Sequence, residues 1–186
     1  MGAGAGDEAG AGAGVGAGAE ADASAGDNVC AGGSDSKTDE LFMKEALKCA
    51  RRAFVKGEAP VGAVVVRDGI IVSRAYNERE AKQDATLHAE MTAIRRACKK
   101  IGYWRLTGCD LYVTLEPCAM CAGAIVLSRL DRVVYGAADQ KAGACGTVMD
   151  VPGVRALNHH PIVVSGVLRE ECAELLTNFF SNLRTK

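Results

Sequence analysis

The chain has 186 residues, 48% of them hydrophobic and 24% charged, with 22 Lys+Arg against 23 Asp+Glu for a formal net charge of −1. That length suits one domain of about 100–200 residues with something to spare. No apolar run approaches the roughly 20 residues a membrane-spanning helix needs, so a soluble protein with no membrane partner is expected.

The surplus lies at the front. Residues 1–36 hold 11 of the 22 glycines, 11 alanines, six acids and no lysine, arginine or aromatic residue. Such a segment buries too little apolar surface to offset the entropy of ordering it. It is expected to be a disordered tail, and it matches neither a secretory signal nor an organellar transit peptide. Setting the tail aside leaves 22 bases against 17 acids in residues 37–186, a formal balance of +5. That excess permits an anionic partner without demanding one.

Residues 39–56, "DELFMKEALKCARRAFVK", place Phe42, Ala46, Ala50 and Phe54 on one stripe, which predicts an amphipathic helix ending near Gly57. The following "APVGAVVVRDGIIVSRAY" has two β-branched runs around Asp68-Gly69 and predicts a hairpin. Residues 87–100 are helical in pattern, "DLYVTL" is a strand, and "CAMCAGAIVLSR" is a helix of small and apolar residues. "DRVVYGA" is a further strand. After a Gly-rich loop over roughly residues 138–160, "PIVVSGV" is a short strand and "REECAELLTNFFSNLRTK" a last helix. The order α-β-β-α-β-α-β-β-α predicts a five-stranded mixed sheet with helices on both faces.

There are eight cysteines, and without a secretion signal they are expected to be reduced cytosolic thiols. Cys49, Cys98 and Cys172 fall in helical patterns as small core residues. Cys118 and Cys121 differ. They follow Pro117 at a predicted helix start, three apart and so on one face. The positive end of the helix dipole favours thiolate there. A bare C-x-x-C is also compatible with a thiol–disulfide pair, so a third ligand decides its meaning. His159 and His160 lie in a loop and read as ordinary loop polar residues. His88 lies at the start of a predicted helix, with Glu90 two residues on. Residues two apart share a direction only in the first, irregular turn of a helix, so the pair makes sense together if the helix begins there.

One imidazole and two thiolates suit zinc rather than magnesium or calcium. Three protein ligands leave one position for water, the pattern of a catalytic site, and zinc lowers the pKa of such a water toward about 7. Glu90, a hard donor poorly placed as a fourth ligand, is the candidate to move that water's proton. H-A-E followed 27 positions on by P-C-x-x-C is the recognised zinc-deaminase signature.

With those residues in place the chain resembles the cytidine deaminase-like superfamily, and within it the bacterial tRNA adenosine deaminases. The likeness runs over residues 40–184 and includes "EAPVGAVVV", "YNERE", "DATLHAEMTAI", "LYVTLEPCAMCAGAIVLSR", "RVVYGAADQKAGACGTVMDV" and "LLTNFFSNLR". The resemblance implies a three-layer α/β/α fold over residues 37–186 and one zinc ion held by His88, Cys118 and Cys121. It implies Glu90 as proton shuttle, with Asn77 and Asp139 as nucleoside contacts. It further implies a cytoplasmic homodimer that converts adenosine to inosine at the wobble position of a tRNA anticodon stem-loop. Arg169, Arg184 and Lys186 put positive charge along and beyond the last helix. Phe179 and Phe180 are candidates to stack on bases, one of them expected to be buried because neighbours on a helix cannot share a face. The tail is foreign to the bacterial pattern. A deaminase of free guanine, cytosine or cytidine, and an inactive zinc-stabilised RNA-binding partner, remain as rivals. The presence of Glu90 speaks against the second.

Overall fold

The computed structural model describes residues 36–184. Of the tail expected to be disordered over residues 1–36, all but Ser36, which begins the first helix, lies outside the described residues, as does Lys186. Helix α1 (Ser36–Val55) leads into the hairpin β1 (Gly62–Arg67) and β2 (Ile70–Tyr76). A single turn α2 (Arg79–Lys82) and helix α3 (Ala89–Ile101) follow, then β3 (Cys109–Leu115), α4 (Ala119–Leu127), β4 (Arg132–Ala137), β5 (Ile162–Ser165) and α5 (Arg169–Arg184). The strands form one mixed sheet in the order β2-β1-β3-β4-β5. β1 is antiparallel to β2 and β3, whereas β3, β4 and β5 run parallel. The predicted α/β fold with a five-stranded mixed sheet is therefore the one observed, and only the turn α2 was missing from the expected order.

Strand alternation builds the two cores. Side chains at successive strand positions point to opposite faces. Ala63, Val65, Leu111, Val113, Val133 and Tyr135 face α3 and α4 in one buried cluster. Their neighbours Val64, Val66, Tyr112 and Val134 face α1 in the other, which also takes in Cys172 of α5. The sheet is thus the middle of three layers. The hairpin turn carries Asp68 at φ 51° and Gly69 at φ 72°, the left-handed pair that a two-residue turn matching strand twist requires. Where β1 begins, α1 crosses so closely that a Cβ on Gly62 would lie 2.1 Å from the Ala46 carbonyl oxygen.

A polar network ties the first helix to the sheet. Arg132 Nη2 lies 2.9 Å from Asp39 Oδ2, and its Nη1 lies 2.8 Å from Asp110 Oδ2. Tyr112 donates its hydroxyl to Asp39 Oδ1 at 2.8 Å, and burial with that carboxylate as partner raises the tyrosine pKa well above its ordinary value. Removing one partner of a buried pair leaves the other uncompensated. Asp39→Ala is expected to destabilise the domain by about 3 kcal/mol, read as a lower denaturation midpoint at unchanged slope. A shift under about 0.5 kcal/mol, the size of a surface substitution, would show the network to be marginal.

Candidate active site

Two helix starts meet at the carboxyl end of β3. His88 is the N-cap of α3, with extended backbone at φ −67° and ψ 156°. Cys118 is the N-cap of α4, at φ −73° and ψ 173°. Neither side chain caps its own helix, so both are free to point into the space between. Cys121 lies one turn along α4 and is fully buried. The His88 Nδ1 sits 3.7 Å from Cys118 Sγ and 3.6 Å from Cys121 Sγ. All three donor atoms lie within 4.8 Å of one another, and no other such group of three is found among the described residues.

The spacing fits zinc. Tetrahedral zinc with a Zn–N bond near 2.05 Å and a Zn–S bond near 2.3 Å separates nitrogen from sulfur by about 3.6 Å. One nitrogen and two sulfurs also form a donor set that hard cations do not select. Without a cation the cluster divides its protons unevenly. The Cys121 thiol, and then His88, hold the Cys118 pKa down to about 3. The neighbouring Cys118 sulfur and burial drive Cys121 far up. His88 is raised, chiefly by its contact with Cys118. A site that stabilises one thiolate next to an imidazole, with a second thiol in contact, is prepared for a soft divalent ion.

Glu90 lies in the first turn of α3, 4% exposed. Burial pushes its carboxyl above the ordinary range, as is common for groups that exchange protons at active sites. It lines one open cleft with His88 and Cys118. Asn77, Arg79, Asp139 and Phe180 form other parts of the wall. Every sequence-predicted site residue therefore reaches this cleft or the cation cluster beneath it. Asp139 has a second use, since its Oδ1 accepts hydrogen bonds from the Lys141 and Ala142 N–H groups and so turns its loop. Phe179 is buried against Phe54, while Phe180 is 46% exposed at the cleft. His159 and His160 lie apart, with ring nitrogens 2.6 and 2.9 Å from the Leu130 and Pro152 carbonyl oxygens.

Two buried carboxylates escaped the sequence reading. Glu116 is 2% exposed and accepts hydrogen bonds from the backbone N–H groups of Asp139, Cys145 and Thr147. Burial opposes its charge, but the Thr147 hydroxyl and these N–H groups outweigh it and hold the carboxyl below its usual range. The loop after β4 wraps around this one side chain, so closely that a Cβ on Gly143 would lie 2.4 Å from its Oε2. Glu58, 1% exposed, accepts from Asn77 and from the start of α2. Both fall in stretches that carry the family likeness, but nothing local marks their burial, because each bonds groups distant in sequence. Pro-Cys and Glu-Ala-Pro neighbours were the one available hint, and it concerns turns, not charge.

Known proteins agree with this geometry. The sequence profile described as the cytidine and deoxycytidylate deaminase zinc-binding region matches residues 36–137. The chain belongs to that deaminase family. A tRNA-specific adenosine deaminase of Bacillus subtilis (strain 168) is 56% identical over 148 residues, which cover 80% of this chain and 92% of that one. A solved structure from a study of A-to-I editing by tRNA:A34 deaminases at the wobble position is 46% identical, covering 73% of this chain and 99% of the other with a TM-score of 0.71. A guanine deaminase from Nitrosomonas europaea is more distant, at 25% identity and a TM-score of 0.65 over 76% of this chain and 84% of the other. Membership makes the chain a zinc-dependent hydrolytic deaminase, and His88, Cys118 and Cys121 form a group that could hold the ion. No helix among the described residues is long and apolar enough to cross a membrane.

Proposed function

We propose that this enzyme hydrolyses adenosine to inosine at the wobble position of a tRNA anticodon. The observation that carries the reading is a buried, proton-competent Glu90 beside a three-donor zinc site at the floor of an open cleft. The adenosine and tRNA specificity is supported by the extent of the likeness to the Bacillus subtilis enzyme, which runs far past the zinc motif.

When bound, zinc supplies a Lewis acid that acidifies a water at its fourth position. The remaining work belongs to the chain. His88, Cys118 and Cys121 would hold the ion beside the cleft that His88 and Cys118 line. Glu90 accepts one proton from the attacking water and delivers it to the ring nitrogen; it then takes the proton of the hydroxyl added at C6 and delivers it to the amino group, which leaves as ammonia while the C6 carbonyl forms. An adenine inside a stack hides C6, so the base must be splayed out, which costs least in a single-stranded loop. Asn77 and Asp139 contact the nucleoside, and Phe180 offers an exposed ring for a neighbouring base. Arg79 at the wall supplies a cation for the phosphate backbone.

A homodimer is inferred as well. Met120 and Leu127 on the outer face of α4 are 36% and 69% exposed, and nothing lies within 4 Å of a Cβ built on Gly123 between them. That bare face of small and apolar residues suits a second copy. The cytoplasm is the expected site of action, in keeping with seven free thiols among the described residues.

The direct test is incubation with total tRNA followed by sequencing for adenine read as guanine, beside assays of free adenosine, cytidine and guanine. Inosine in an anticodon loop, with no turnover of the free compounds, is the expected result. Turnover of free guanine with none in RNA would transfer the assignment to the activity of the Nitrosomonas relative.

A further inference from the structure

Glu58 is a buried acid that the chemistry above does not use. It lies on the segment between α1 and β1, 1% exposed. Its Oε2 accepts from Asn77 Nδ2 at 2.9 Å and from the Glu80 N–H at 3.1 Å, and its Oε1 accepts from the Ala81 N–H at 2.7 Å. These bonds span 19 to 23 residues of sequence, so a single side chain gathers the end of β2 and the start of α2 onto the first helix's exit. Burying a carboxylate without full satisfaction costs several kcal/mol, and here three N–H donors meet the one buried acid.

We propose that Glu58 is a positioning residue for substrate recognition, acting through Asn77 and the α2 turn. This rests on the functional reading above, in which Asn77 and Arg79 meet the nucleotide.

The chemistry is directional. An Asn side chain has one end that donates and one that accepts, and the two have nearly the same shape. A pocket that contacts a nucleoside through such an amide needs it one way round. Glu58 already takes N–H bonds from two main-chain groups whose positions are set by α2. A carboxylate there only accepts, so the Asn77 amide can face it with Nδ2 alone. Its Oδ1 and its second N–H are thereby left, in one fixed order, for the cleft that Asn77 lines. The same carboxylate satisfies the free N–H groups at the start of α2 and so holds in place the turn that carries Arg79 to the cleft wall. One buried acid thus orders two recognition groups at once.

Glu58→Gln tests this without a change of size. Gln offers a donor where Glu offered an acceptor, so the Asn77 amide can turn over and still bond. On an anticodon stem-loop, kcat/KM is expected to fall about 10- to 100-fold, the scale on which misplaced recognition groups cost rate. Zinc content should match wild type, while Tm should fall modestly, because Gln cannot accept at both ends from the main-chain N–H groups that the carboxylate satisfies. In an Asn77→Ala, Arg79→Ala background the same change should cost little more, because both groups it positions are already gone. Equal losses from Glu58→Gln with and without Asn77 and Arg79 would overturn the proposal and leave Glu58 a structural acid. So would an Asn77→Ala enzyme with undiminished kcat/KM. Should the Gln variant fail to fold, Glu58→Asp keeps the acceptors but withdraws them by one methylene, and the same dependence on Asn77 and Arg79 is expected. Failure of the underlying reading shows differently, as wild-type enzyme that forms no inosine from the stem-loop.

Discussion

Glu90→Ala is expected to bind one zinc ion per chain, to melt at or slightly above the wild-type temperature, and to form no measurable inosine. The loss follows from the number of proton transfers involved. Hydrolysis of the amidine must strip both protons from the attacking water, placing one on the ring nitrogen and the other on the departing amino group. Glu90 is the buried carboxyl beside the zinc ligands in the cleft, 4% exposed and pushed above the usual carboxylate range by burial. A positioned acid–base group contributes roughly 10²–10⁴-fold for a single transfer, and here one group serves several. The retained stability follows from the same burial. Holding a carboxyl out of water costs the folded state, so deleting it relieves a penalty of the kind active sites commonly carry. The measurements are inosine released from a stem-loop, zinc by atomic absorption, and a thermal melt. Turnover within tenfold of wild type would remove Glu90 from the mechanism, and loss of zinc would reassign it to the metal site.

The place of that residue in the cleft, like the clustering of His88, Cys118 and Cys121, was legible because its signal is local. His88 and Glu90 are two apart, Cys118 and Cys121 three apart, and each pair stands at a helix start marked by composition. The layers were legible for a related reason. Strand alternation at Ala63, Val64, Val65 and Val66 sends successive side chains into opposite cores, and Asp68-Gly69 closes the hairpin with the two residues that tolerate its backbone. What escaped notice is held by long-range bonds. Glu58 and Glu116 look like surface acids beside prolines, yet each is almost fully buried by N–H groups at least 19 residues away. The turn α2 escaped for the same cause, since four residues give no periodicity and its start is satisfied by Glu58 from outside. Asp139 shows the limit of reading roles from residue type. It lines the cleft as expected, and one of its oxygens also folds the loop it sits on.

Withdrawal of zinc separates the fold from the catalyst. A chelator applied to the wild-type enzyme should abolish inosine formation, and added zinc should restore it. Cys118→Ser should be inactive from the outset and beyond rescue, because a serine hydroxyl is a poor, hard substitute for a thiolate ligand. The sheet should survive both treatments. Its two apolar clusters lie on either face of the strands and are built from side chains other than His88 and Cys118, so far-UV circular dichroism is expected to stay near wild type. The stability margin should nevertheless shrink. Ion binding at 1,000 times its dissociation constant stabilises the native state by about 4 kcal/mol, which for a domain of this size amounts to roughly 10 °C in Tm. The local reason is the crowding of donors at the helix starts. Without the cation, the buried Cys121 keeps its proton against the Cys118 sulfur and His88 stands against both. The ion replaces that proton-sharing contact with three bonds between α3 and α4. A chelated enzyme that kept full activity would leave the site without a chemical purpose, whereas one that lost its sheet would make zinc a structural requirement as well as a catalytic one.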